Sequence, residues 1–194
     1  SLKDTGRKFP QVEAGVGDFN VTDSNYIGNV SHYLKKINGN VILPELVLYK
    51  SAKLTDLISS GFMGTGDGLI LSNKLYTIIS SYSGENQQFF KIKLHHKNLE
   101  NDSYWYLHPS SVNNDLIDFS KSEVWELNSF IKDKERVFIN SEEFYEESNK
   151  TKYPKMLAID KYVLKDNCPD FFILNFIEGG IGFFVSEKLP LWIL

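Results

Sequence analysis

GTGDGLILSNKLYTIISSY, residues 64 to 82, sets the grammar of this chain. After the glycines, residues 69–71 form a short apolar run of strand type. Ser72 then stands where a helix N-cap belongs, and Leu75, Ile78, Ile79 and Tyr82 fall on one helical face. The C-terminal stretch EGGIGFFVSEKLPLWIL, residues 178 to 194, has the same order. A glycine turn leads to a strand over 181–185, Ser186 precedes Glu187, Lys188 and Leu189, and Pro190 falls in the first helical turn, where a missing N–H costs little. A strand, a serine cap and a helix are therefore expected twice.

Working outward, residues 1–22 are polar and glycine-bearing, and read as a loosely held arm with room for one edge strand. Ile27, Val30, Leu34 and Ile37 have helical spacing, with Gly39 as a C-terminal stop. VILPELVLY (41–49) is β-prone but carries Pro44, which suits an edge strand or a bent connector. KLTDLISSG (53–61) reads as a short helix ended by Gly61. QFFKIKL (88–94), YWYLH (104–108), LIDF (116–119), VWEL (124–127), RVFIN (136–140) and FFILNFI (171–177) read as strands between loops of Asn, Asp, Ser and Gly. SEEFYEESNK (141–150) reads as a short helix capped by Ser141. The expectation is an α+β fold: one domain over 23–194, a largely antiparallel sheet and a few short helices.

Composition bounds what such a domain does. The chain has 194 residues, 42% apolar and 24% charged, which is ordinary for a globular chain able to bury about 70% of its unfolded surface. Fourteen Phe, ten Tyr and three Trp favour strands. With a net charge of −4 and no long Lys/Arg run, nucleic acid is not an expected partner. No apolar run approaches the roughly 20 residues that span a bilayer. A single cysteine, Cys168, leaves no intrachain disulfide and fits a reducing compartment. The chain begins at Ser1 rather than Met, so an export signal lost by trimming stays compatible with a cytoplasmic reading.

Catalytic patterns are weak. GTGDG is followed by a strand, whereas a phosphate loop or dinucleotide fingerprint opens a helix, so it reads as a tight turn. His95 and His96 point to opposite faces of a strand, and neither they nor His32 and His108 have metal-ligand spacing. Cys168 lies in the turn-like DNCPD, no G-x-S-x-G elbow is present, and nothing selects a pair of carboxylates. No catalytic residue, metal or cofactor is assigned. The helix SEEFYEES would stack Glu142 on Glu146 and Glu143 on Glu147, a repulsion of a few tenths of a kcal/mol. That repulsion is compatible with a solvated face or with an acidic face for a basic partner. Glu142, Glu143, Glu146 and Glu147 are therefore candidate partner-binding residues, with the loop residues Asp67 and Asp115 beside them.

From about residue 53 onward the order LTDLISSG, GLILSNKL, QFFKIKL, YWYLHPSSVNNDLIDFSKSEVW, GIGFFVSEKL resembles a family of bacterial immunity proteins of polymorphic toxin systems, immunity protein 11. The resemblance implies a cytoplasmic, non-enzymatic protein that binds a cognate toxin and occludes its active site. It carries no catalytic residues with it, and it makes the phrase at 104–125, with His108, Asp115, Asp118 and Ser122, a fold signature. The competing expectations are an exported, adhesin-like binding module and a small hydrolase with unassigned carboxylates. Oligomeric state is left open.

Overall fold

A computed structural model describes residues 11–58, 68–83, 87–177 and 180–188. These form an α+β fold of two mixed sheets and two α-helices. The strands divide between two compact units, one ending at Ser111 and the other beginning at Val112. The boundary falls in the polar stretch after His108, where composition predicts no linker.

The first unit contains β1 (Val12–Val16), β2 (Glu45–Leu48), β3 (Leu57–Ile58), β4 (Leu69–Ser72), α1 (Asn73–Tyr82), β5 (Gln88–His96) and β6 (Leu99–His108). Its sheet has the order β1-β2-β5-β6-β4-β3, antiparallel except for the β2–β5 pair. The expected edge strand in the N-terminal arm is β1. β2 is not an edge strand, since β1 and β5 flank it. Pro44 stands one residue ahead of β2 and so removes no ladder hydrogen bond. Leu46, Ile70, Leu94 and Tyr106 are almost fully buried in the core on this sheet, each such aliphatic side chain contributing roughly 1.5–3 kcal/mol. Gly68 is required at the start of β4: a Cβ there would collide with the Tyr106 ring and the Leu107 carbonyl.

Three expectations in this unit give way to other geometry. Residues 24–39 are not an α-helix but a series of turns around one 3-10 turn, Val30–His32. The cause is local competition: the carboxamide or carboxylate oxygens of Asn20, Asp23 and Asn29 accept the N–H groups of Thr22, Asn25 and Ser31 at 3.0, 2.8 and 2.9 Å. Residues 53–58 are not helical and end in the short strand β3. Leu57 and Ile58 pair with Leu71 and Ile70, and a cross-strand pairing outweighs the short helical spacing. The expected tight turn at 64–68 lies outside the described residues, apart from Gly68. In contrast, Ser72 caps α1 as expected, its Oγ accepting the Leu75 N–H at 3.2 Å. Tyr76 of α1 then stacks on Trp105 with ring centroids 4.0 Å apart.

The second unit contains β7 (Glu123–Asn128), β8 (Ile131–Arg136), α2 (Ser141–Lys150), β9 (Lys155–Lys161), β10 (Phe171–Ile177) and β11 (Gly180–Val185). The sheet order is β11-β10-β9-β7-β8, antiparallel except for β9–β10. Its core gathers Phe119, Val124, Phe138, Phe144, Leu157, Ile159, Phe172 and Leu174. LIDF is not a strand: Asn114–Leu116 is a 3-10 turn, and Ile117 makes a single bridge to Leu164. The strand expected at 136–140 lies earlier, at 131–136, because the two-residue turn at Ser129–Phe130 sets its register.

The two serine units match more closely than their spacing alone suggests. Ser72 Oγ donates to Asp56 Oδ1, and Ser186 Oγ donates to Asp170 Oδ1, each 16 positions upstream. Each serine N–H also donates to the backbone oxygen of the same aspartate, at 2.8 and 2.9 Å. Even the pairing agrees: Leu57 faces Leu71, and Phe171 faces Val185. Ser186 Oγ accepts the Lys188 N–H at 3.2 Å. The helix expected after it lies outside the described residues.

Candidate functional site

The acidic helix α2 is held at both ends by side chains. Its N-cap is Asn140 rather than Ser141: Asn140 Oδ1 accepts the Glu143 N–H at 2.9 Å, and Ser141 becomes the first helical residue. Asn140 has an extended backbone and a side-chain oxygen of the right length, so the cap forms one residue earlier. Phe144 anchors the buried face, with ring contacts to Phe119, Phe138, Tyr145 and Phe176 at 5.0 to 5.9 Å.

The four glutamates do not share one environment. Glu143 reaches back to accept the Ile139 N–H at 2.8 Å, a return bond that secures the chain entering the helix. Glu147 pairs with Arg136 of β8 at 2.8 Å. Arg136 in turn holds Glu126 of β7 at 2.9 Å, and Lys155 of β9 holds the other oxygen of Glu126. The Lys155 ammonium above all, then Arg136, keeps the Glu126 carboxyl below its ordinary value of 4.5. So Glu147 belongs to a network that ties β7, β8, β9 and α2 together. Glu142 and Glu146 are the pair on the exposed side, Glu146 lying 4.0 Å from Lys150.

Asp115 is exposed in the 3-10 turn Asn114–Leu116, and its backbone oxygen accepts from Lys165 at 2.8 Å. Asp67 lies outside the described residues. Asp118 accepts from Ser120 and Lys121, both at 2.6 Å, and Ser122 bridges Asp118 O to the Val163 N–H. His95 contacts Glu45 at 2.6 Å, and Cys168 Sγ donates to Lys165 O at 3.2 Å. Among the described residues, no three His, Cys, Asp or Glu side chains stand together as metal ligands. Nor is any described helix long and apolar enough to cross a membrane.

A second feature of this unit has no counterpart among the expected site residues. Phe130, Ile131, Val137, Ile139 and Tyr153 are between 72% and 87% exposed. All five lie on β8, its two flanks, or the segment after α2. β8 is one of the two edge strands of its sheet, so its outer backbone groups face no neighbouring strand among the described residues. Ser129 and Phe130 both have positive φ, 52° and 67°, as a two-residue hairpin turn between β7 and β8 requires. Such a position favours Gly or Asn, and here it carries an exposed phenyl ring. The Ser129 N–H donates to Pro154 O at 2.9 Å, which fastens Tyr153 next to the turn. The signal in the sequence was faint: without Asn-Gly or Asp-Gly, NSFI does not read as a hairpin.

Compared with models of protein families, with curated proteins and with solved structures, the chain matches none.

Proposed function

We propose that the chain is a non-enzymatic, cytoplasmic immunity protein that binds a cognate bacterial toxin and occludes its active site. The observation that carries this reading is the set of exposed apolar side chains Phe130, Ile131, Val137, Ile139 and Tyr153, at the two ends of the edge strand β8 and just after the acidic helix α2. Aromatic anchors that become desolvated hold a complex, while carboxylates around them speed and orient the encounter with a basic partner. Placing a bulky aromatic at a left-handed turn position costs folding energy, and strain of that kind is retained where a surface has a use. Glu142 and Glu146 are the steering carboxylates in this reading, and Phe130 and Tyr153 the anchors. The order of strand and serine-cap units quoted above supplies the resemblance to immunity protein 11.

The proposal requires a toxin domain encoded beside this chain's own gene, and the test is co-expression with it. Growth should be restored, and a one-to-one complex should be recovered. Phe130→Asp together with Tyr153→Ala should abolish both while the protein stays folded. A toxin that kills equally with and without the chain overturns the proposal.

A further inference from the structure

β8 is an edge strand whose charges are self-complementary. Residues 131–136 read Ile-Lys-Asp-Lys-Glu-Arg. When an identical strand is laid antiparallel about the point between Asp133 and Lys134, each central charge meets its opposite. Lys132 then faces Glu135 and Asp133 faces Lys134, with both contacts made twice. The same register sets Phe130 against Val137, and these side chains are 76% and 79% exposed in the single chain. Lys134 and Glu135 have no ion-pair partner among the described residues.

Facing side chains in an antiparallel pair share one face of the sheet, and this condition excludes most registers. In a regular strand, residues three apart such as 132 and 135 point to opposite faces. β8 is not regular: Glu126 faces Lys134 and Leu127 faces Lys132, which leaves Asp133 as the extra residue of a bulge. Lys132 Nζ lies 5.0 Å from the centre of the Trp125 ring, and Trp125 faces Glu135. Lys132 and Glu135 therefore share a face. Lys134 faces Glu126, and Asp133 lies 3.9 Å from Lys155, the cation bound to Glu126. Asp133 and Lys134 thus share the other face. Both charge pairs obey a two-fold axis perpendicular to the sheet.

Lysines and bulges on an edge keep a second strand away when like charges would meet. Here the four central charges alternate in sign and sum to zero, so an identical strand meets attraction at each of them. We propose that β8 pairs antiparallel with β8 of a second copy of this chain, in the register that sets Lys132 against Glu135. The sheet of the second unit then continues across the axis into that of the second copy. Phe130 and Val137 close both ends of the seam. The inference concerns the chain alone and does not rest on toxin binding; a toxin held by Phe130 would have to open the dimer.

Sedimentation equilibrium of the full chain, without any toxin, tests the pairing. The seam is shorter than a standard interface of roughly 1,600 Å², so a reversible dimer should be present at about 100 µM and dissociate on dilution. Its mass should be twice the 22.3 kDa of one chain. Lys132→Glu alone and Glu135→Lys alone each set like charges face to face, and each should weaken self-association about tenfold or more. Mixed one to one, the two variants are complementary at both contacts and should dimerise as the wild type does. A wild-type chain that stays monomeric at about 500 µM, well above the range of even weak specific interfaces, overturns the proposal. Single variants that dimerise like the wild type, or a mixture that stays monomeric, overturn it equally. If Lys132→Glu fails to fold beside Asp160, Asp133→Lys and Lys134→Asp take the same comparison, singly and mixed.

Discussion

Asn113 and Asn114 act in the second unit as a piece of strand built from side chains. Asn114 Oδ1 accepts the Asn175 N–H at 2.8 Å and its Nδ2 donates to Asn175 O, while Asn113 Oδ1 accepts the Ile173 N–H at 3.1 Å. These bonds occupy backbone groups of β10, which meets β9 at a single register pair. Asn114→Ala leaves the Asn175 N–H and carbonyl buried and unmatched, and should cost about 1–3 kcal/mol in urea denaturation. A loss within error shows that water replaces the side chain. His108, at the end of the preceding strand, is almost fully buried. Burial is the main reason its pKa lies below the ordinary 6.5, with the bond to Lys35 O opposing it. A base depressed in this way contributes stability that is complete above pH 6.5 and lost as pH falls through its folded value. The expected NMR titration midpoint for His108 therefore lies below 6.5, and stability should drop across the same interval. A midpoint at or above 6.5 contradicts this. His108 and Asp118, expected from the sequence to belong to the fold, are bonded to Lys35 O and to Ser120 and Lys121, whereas nothing in the sequence marks Asn114, because a buried asparagine looks like any loop asparagine until its partner is known.

At the scale of elements, the legible features were those where local pattern and tertiary need agreed. α1, α2, β5, β6, β7 and β10 coincide with apolar periodicity and, for α1, with a correctly placed serine cap. Each failure has its own cause. Residues 24–39 had helical spacing, but Asp and Asn side chains offered the backbone nearer partners. Residues 57–58 became a strand because β4 needed a neighbour. The hairpin at Ser129–Phe130 was missed because its residues are poor ones for their backbone angles. That mismatch can be tested directly. Glycine accepts φ near +67° without strain, so Phe130→Gly should leave stability unchanged or raise it by up to about 1 kcal/mol. The same substitution should weaken toxin binding by about tenfold or more if the ring is an anchor. A clear loss of stability with unchanged binding assigns Phe130 to the fold and removes the main support for the proposed interface.

Across the whole molecule, the α+β class and the predominance of antiparallel pairing were visible in the alternation of strands and capped helices, whereas the partition into two sheets was not. Strand partners are set by contacts far apart in sequence: β2 joins β5 across some forty residues, and β9 joins β10 through one register pair. Periodicity within a strand carries no record of such choices. The same separation of local from global holds for charge. A net charge of −4 is compatible with a basic partner, but its effect depends on which carboxylates remain available. Glu143 and Glu147 are engaged by Ile139 N–H and Arg136, so reversing them would damage the fold as well as the field. Glu142 and Glu146 are exposed on α2, and reversing both to lysine brings the formal net charge from −4 to zero. Glu142 lies in the first turn, where a carboxylate favours the helix, so a small loss there offsets the relief of like-charge repulsion. Stability should hence change by no more than a few tenths of a kcal/mol. Association with the cognate toxin should slow, most at low ionic strength, with the gap between variant and wild type closing above about 0.5 M salt as the Debye length shortens. Dissociation should change little, because the proposed anchors at Phe130 and Tyr153 are untouched. Stopped-flow association measured at several salt concentrations separates the two contributions. Equal association rates at the lowest salt would mean that α2 presents only a solvated face, and the proposed partner surface would then reduce to the exposed apolar side chains alone.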